Sequence, residues 1–146
     1  HVDACLAEAL VQVAAQGRPL ALIMLDIDHF KAINDRYGHL RGDAVLAALG
    51  ALLRRGVPEG CDIGRWGGEE FVVLCPGMAL DAASRLAEDL RRATHALVVE
   101  TAGLRVTCSF GVAAARAEDT GETLLARADQ ALYAAKALGR DRVETG

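Results

Sequence analysis

The sequence predicts an α+β fold, a central mostly antiparallel sheet flanked by helices. Apolar residues recur at helical spacing in several separated segments. Other segments read as strands, one of them a near-continuous apolar run. One strand-to-strand connection is a tight glycine hairpin, a link open to antiparallel neighbours.

The elements follow in order. Val2, Cys5, Leu6, Leu10 and Val13 mark a first helix, stopped by Gly17-Arg18-Pro19. LALIMLDI, residues 20 to 27, reads as a strand buried on both faces, with Asp26 and Asp28 at its C-terminal end. DHFKAINDRYG is a short helix closed by Gly38. Val45, Leu46, Leu49, Leu52 and Leu53 mark a third helix, ended by GVPEG. RWGGEEF, residues 65 to 71, is the hairpin, and FVVLC its second strand. A fourth helix runs through Leu80, Ala83, Leu86, Ala87, Leu90 and Ala93. LRVTCSFGVAAA alternates like a strand, with Gly111 a candidate bulge. Leu124, Leu125, Ala128, Leu132 and Ala135 line a last helix, with Gly139 as its C-cap, and RDRVET adds an edge strand.

At 146 residues and 52% hydrophobic composition, the chain suits one domain with a real core, not a disordered segment. A net charge of −4 argues against a nucleic-acid binder held by phosphate attraction. A polyanionic substrate stays open if a metal supplies the local positive charge. Cys5, Cys61, Cys75 and Cys108 show no CxxC spacing and read as buried free thiols of a reducing compartment. No apolar run approaches the ~20 residues of a membrane span, and no signal peptide is evident, so a cytoplasmic domain without membrane contact is expected.

Chemistry concentrates at two places. Asp26 and Asp28 end a central strand, and Glu69 and Glu70 sit at a hairpin tip. Either pair alone reads as solvated acids. Together they bring hard oxygen ligands to one spot, which suits Mg²⁺ and points to phosphoryl or nucleotidyl transfer. DHFK turns from strand to helix, where free N–H groups can hold phosphate oxygens. Lys136 and Arg140 stand four apart, a spacing that puts both on one helix face; cations favouring the helix dipole are the plainer reading. Asn34 and Asp43 can read a base, because a carboxylate accepts from both N–H donors of guanine's pairing edge. Helix capping is the plainer role for Asp43. His39 reads more readily as a helix-start or packing residue than as the substrate-binding residue it is also a candidate for. Trp66 and Phe71 read as core.

DIDHFKAINDRYGHLRGD (26 to 43), RWGGEEF (65 to 71) and ADQALYAAKALGRDRV (128 to 143) resemble, in order, three signature segments of the GGDEF family, the diguanylate cyclases. The hairpin signature stands here as GGEEF. The resemblance implies a single GGDEF-type catalytic domain over residues 1–146, with a fold like the palm of nucleotidyl cyclases and polymerases. It implies condensation of two GTP to cyclic di-3′,5′-GMP and two pyrophosphates. It implies Asp26, the Ile27 carbonyl and Glu69 as ligands of two Mg²⁺ or Mn²⁺ ions, and Glu69 and Glu70 as catalytic acids. Phe30 and Lys31 then stand where phosphates are held, Lys136 and Arg140 reach the triphosphate, and Asn34 and Asp43 contact guanine. A head-to-head homodimer, with one GTP per protomer, and an upstream sensory or regulatory domain are the expected partners. The D-x-L-T-G-L-x-N-R opening of the family is absent, so a fragment of a longer regulated protein is expected. Many members carry R-x-x-D before the hairpin, where cyclic di-GMP inhibits; Pro58 and Cys61 occupy those positions, and Arg116-Ala117-Glu118-Asp119 is a chance match.

A catalytically silent GTP- or ligand-binding GGDEF module is the alternative function. A relative with changed base choice and an unrelated metal phosphohydrolase are further readings. Intact acids at the hairpin favour the cyclase, and Asp43 speaks against changed base choice.

Overall fold

The computed structural model describes residues 1–97, 99 and 104–146. Along the chain run α1 (Val2–Gln16), β1 (Leu20–Ile27), α2 (Phe30–Tyr37), α3 (His39–Gly56), β2 (Asp62–Arg65), β3 (Glu70–Pro76), α4 (Leu80–His95), β4 (Cys108–Ala114), α5 (Gly121–Ala137) and β5 (Val143–Thr145). The sheet order is β2-β3-β1-β4-β5. Only the β4–β5 pair is parallel, so the sheet is mostly antiparallel as expected.

β1 is the central strand and is buried along its whole length, because helices cover both sheet faces. Side chains alternate across a strand. Ala21, Ile23, Leu25 and Ile27 therefore enter one core with Ile33 of α2, Leu49 and Leu53 of α3 and Leu90 of α4. Leu20, Leu22 and Met24 enter the other with Leu6 of α1 and Leu124, Ala128 and Leu132 of α5. Each such Leu, Ile or Met side chain contributes ~1.5–3 kcal/mol on full burial. Asp26 continues the second series, which places its carboxylate on the α5 face.

Several expectations need correction. Gly111 is not a bulge: β1–β4 register runs unbroken from Ala21 opposite Ala114 to Ile27 opposite Cys108. It lies opposite Met24, on the α5 face, and a Cβ there would overlap the α5 backbone at Ala128 and Leu132. The glycine lets the helix lie against the sheet. The strand expected from Leu104 begins at Cys108. Of the cysteines, Cys75 and Cys108 are buried, but Cys5 and Cys61 are only partly so; all four are free. Phe71 is core, whereas Trp66 is 43% exposed, because it sits on the turn beyond the paired part of β2. Leu138 caps α5, and Gly139 follows at φ 123°.

The Arg116–Asp119 match is a structural turn. Asp119 accepts from the backbone N–H of Arg116 (2.7 Å) and from Thr123 Oγ1 (2.7 Å), and it pairs with Arg127. Thr120 then opens α5 with a capping box. Among the described residues, no helix is long and apolar enough to cross a membrane.

Candidate active site

The C-terminal end of β1, the start of α2, the hairpin tip and the end of α5 enclose a cleft of about 480 Å³. Asp26, Ile27, Phe30, Lys31, Glu69, Lys136 and Arg140 line it, together with Asp28, His29 and Asp35. Eight of the residues singled out from the sequence, Asp28 among them, thus meet at one place.

Asp26 is the focus. It is only 3% exposed, Lys136 pairs with its Oδ2, and its Oδ1 is buried with no partner. A carboxylate oxygen in that state carries a desolvation cost of several kcal/mol unless a cation or donor meets it. Burial pushes the Asp26 carboxyl above its ordinary value; Lys136 pulls it down, and Glu70 and Asp28 push it further up. Glu70 is the β3 residue directly opposite Asp26 in register. Glu69 reaches the cleft from the turn, where Trp66 and Gly67 N–H groups donate to the Glu70 carbonyl at 2.9 and 3.4 Å.

The carboxylates of Asp26, Glu69 and Glu70 do not form a ready-made close ligand cluster. The unpaired Oδ1 of Asp26, the backbone of Ile27 and the nearby Glu69 still fit a hard cation, whose ligands are oxygens.

The α2 side of the cleft is built by backbone. His29, at φ 56°, turns the chain from β1 into α2. The first N–H groups of α2 have no intrahelical partner and open onto the cleft at Phe30, Lys31 and Ala32. Lys31 is almost fully exposed and pairs loosely with Asp35 at 3.7 Å.

Lys136 and Arg140 do not share a helix face, because α5 ends at Ala137. Arg140 reaches the cleft by another route. It and Asp141 both adopt left-handed backbone, at φ 63° and 47°. Such a conformation costs a non-glycine residue ~1–2 kcal/mol. Asp28 offsets this: its carboxylate accepts from Thr107 Oγ1 (2.7 Å), Ser109 Oγ (2.6 Å) and the Asp141 backbone N–H (3.0 Å). Asp141 Oδ1 in turn accepts from Arg91 Nη1 at 3.0 Å and lies 2.7 Å from His95 Nε2. Glu88 grips Arg91 from the other side at 2.6 Å. Asp28 is therefore an anchor, not a free ligand. Sequence reasoning missed this latch, because Thr107, Ser109 and Asp141 reach Asp28 only through the sheet and the turn after α5.

The base-side candidates separate. Asp43 is exposed and lies within α3, whose N-cap is Gly38, so it does not cap a helix. It lines a second cavity of about 390 Å³, with Leu46, Arg54, Ile63, Arg65 and Phe71 among its walls. Asn34 lies over Gly42, where a Cβ would overlap its Oδ1, and that oxygen is buried and unpartnered. His39, the first residue of α3, is exposed and lines neither cavity; the direct link from Gly38 into α3 leaves it outward. Pro58 is exposed and Cys61 packs at the edge of the core, so neither offers a charged group.

Comparison with known proteins bears on the family and the fold. The family described as "Diguanylate cyclase, GGDEF domain" matches residues 1–142. Diguanylate cyclase DgcP of Pseudomonas aeruginosa is 48% identical over 97% of this chain, and the match covers 22% of DgcP. Diguanylate cyclase VdcA of Vibrio cholerae is 44% identical over 87% of this chain and 39% of its own length. The chain thus spans well under half of the curated relatives it matches. The GGDEF domain of DgcB from Caulobacter crescentus, solved in complex with c-di-GMP, superposes with a TM-score of 0.93 at 32% identity, covering 99% of this chain and 87% of that one. An active GGEEF domain of a Vibrio cholerae diguanylate cyclase gives 0.93 at 33% identity, covering 98% and 92%.

Proposed function

The chain belongs to the GGDEF family, and from that premise we propose that it is the catalytic domain of a diguanylate cyclase. Two GTP condense to cyclic di-3′,5′-GMP and two pyrophosphates, one GTP held by each protomer of a head-to-head dimer. The observation that carries this reading is the single cleft joining an unpaired buried carboxylate oxygen at Asp26 to Glu69, Lys136, Arg140 and the open start of α2.

Asp26, the Ile27 carbonyl and Glu69 would hold two Mg²⁺ ions, with Mn²⁺ an alternative; bound there, they neutralise triphosphate charge and favour attack at phosphorus. The first-turn N–H groups of α2 and the side chains of Lys136 and Arg140 hold phosphate oxygens. Lys136 already neutralises one oxygen of Asp26, which leaves the other to face the cleft. Asn34 and Asp43 read guanine: a carboxylate accepts from its N1–H and amino group, and adenine lacks that N1–H. Each 3′-oxygen attacks the α-phosphorus of the opposite GTP. A new O–P bond forms, the bond to the β-phosphate oxygen breaks, and pyrophosphate leaves with that electron pair. Glu70, opposite Asp26, takes the hydroxyl proton. The ring needs two such events, so two domains must meet. A regulatory domain elsewhere in the full protein would set how often they do. A cytoplasmic site suits a GTP-consuming enzyme.

The test is GTP turnover with Mg²⁺, with products resolved by chromatography and mass spectrometry. Cyclic di-GMP should form, and specific activity should rise with enzyme concentration before levelling. GTP binding without product would identify the silent module instead.

A further inference from the structure

Away from the cleft, α1 meets the outer strand β2, and there the side chains gather a different kind of donor set. We propose that His1, Cys5 and Asp62 form a Zn²⁺ site that staples α1 to β2.

His1 and Cys5 are four residues apart, hence neighbours on one helical face. His1 Nε2 lies 3.7 Å from Cys5 Sγ and 3.7 Å from Asp62 Oδ1. All three donor atoms lie within 4.8 Å of one another, the only such group of His, Cys, Asp and Glu among the described residues. Donors around a tetrahedral zinc, with bonds of ~2.0–2.3 Å, stand ~3.3–3.6 Å apart. Small side-chain adjustments therefore close the site on an ion.

The scaffold beneath the donors is fixed by packing. Val2 and Leu6, next to His1 and Cys5 in sequence, are 9% and 3% exposed. A Cβ at Gly64 would overlap Val2, so the start of α1 presses directly on β2. Asp62 stands two residues before Gly64, which puts it on the same strand face, toward α1. The glycine that admits the helix and the aspartate that meets its donors are thus one arrangement.

The donor types select the metal. Imidazole, thiolate and carboxylate suit zinc, whereas Mg²⁺ demands oxygens. Thiolate and carboxylate together balance the dication. The fourth position is open to water, since the His1 and Asp62 side chains are 76% and 37% exposed. The ion takes Cys5 as its thiolate and so displaces a proton on binding. Binding to the folded state alone stabilises it in step with free zinc.

The test is a Co²⁺ titration of the whole chain, with a phosphine reductant, followed by absorbance. One equivalent should give a thiolate-to-cobalt charge-transfer band with tetrahedral visible bands. Zn²⁺ should bleach them and excess Mg²⁺ should not. Cys5→Ser should abolish the charge-transfer band. Asp62→Asn and His1→Ala should weaken Co²⁺ binding by more than ~10-fold, the scale already known for lost outer-shell partners. Glu69→Gln should leave the band intact, which separates this site from the cleft. Circular dichroism checks that each variant is folded; His1 is exposed, so its replacement leaves the core untouched. Absence of the band, or its persistence in Cys5→Ser, overturns the proposal.

Discussion

Asp26 and Asp28 stand two residues apart at the end of one strand, and both are buried, yet their surroundings differ completely. Asp28 receives three donors, from Thr107, Ser109 and the Asp141 backbone. Asp26 has Lys136 on one oxygen and nothing on the other. The difference separates architecture from chemistry. A buried carboxylate whose donors are all supplied by the fold holds the fold together. One left partly unmet is open to a cation or donor from solution. The two also cooperate: Asp28 pins the turn that delivers Arg140, and Asp26 anchors Lys136.

The largest expected effect lies at the hairpin, beside Asp26. Glu69→Gln keeps the size and removes the charge that a cation needs. Mg²⁺-dependent GTP turnover should fall by ~10²–10³-fold or more, while the melting midpoint barely moves. Parent-like activity would remove Glu69 from the site.

On the anchoring side, Asp28→Asn presents one of its three donors with an amide nitrogen instead of an acceptor. A loss of ~2–4 kcal/mol is expected, a fall of roughly 10 °C in thermal midpoint. Among folded molecules the KM for GTP should rise more than kcat falls, because Arg140 loses its support. An unchanged midpoint would mean that the latch holds without Asp28.

Asp43→Ser addresses the second cavity. Losing a charged acceptor should cost about 2 kcal/mol for GTP, so preference over ATP relaxes by ~30-fold. Competition assays with both nucleotides measure it, and unchanged preference would exclude Asp43 from base reading.

The smallest effect concerns pH. Burial alone would raise the Asp141 carboxyl, but bonds from His95 and Arg91 hold it below its ordinary value of 3.8. Arg91 likewise lowers Glu88 from 4.5. A carboxylate depressed in the folded state stabilises above its unfolded pKa, and that stability is lost as pH falls through the lower folded value. Thermal midpoints should therefore decline below about pH 4, and Asp141→Asn should flatten that decline. Both groups are about one-third exposed, so solvent screening keeps the change small.

How legible this was in the sequence varied with distance along the chain. The buried strand with two terminal acids, the glycine hairpin and the helix that follows β1 are local patterns, and the structure has them where the pattern lies. The opposite fates of Asp26 and Asp28 are not local. They follow from β4 register and from a turn 113 residues away. Gly111 reads as a bulge in isolation, and its purpose needs α5 above it. Asp43 reads as a cap because Gly42 precedes it, yet α3 already begins at His39, almost directly after α2. Arg140 seems to continue the face of Lys136 until the helix ends first.

The contrast between the two aspartates can be measured directly with Mn²⁺, whose paramagnetism reports binding. Electron paramagnetic resonance would follow Mn²⁺ uptake with a non-hydrolysable GTP analogue in the parent chain, Asp26→Asn and Asp28→Asn. Asp26→Asn should lose Mn²⁺ binding while its melting midpoint stays near the parent's, and Asp28→Asn should melt earlier while its folded fraction still takes up the ion. Parent-like Mn²⁺ binding by Asp26→Asn would mean that its unpaired oxygen holds no cation.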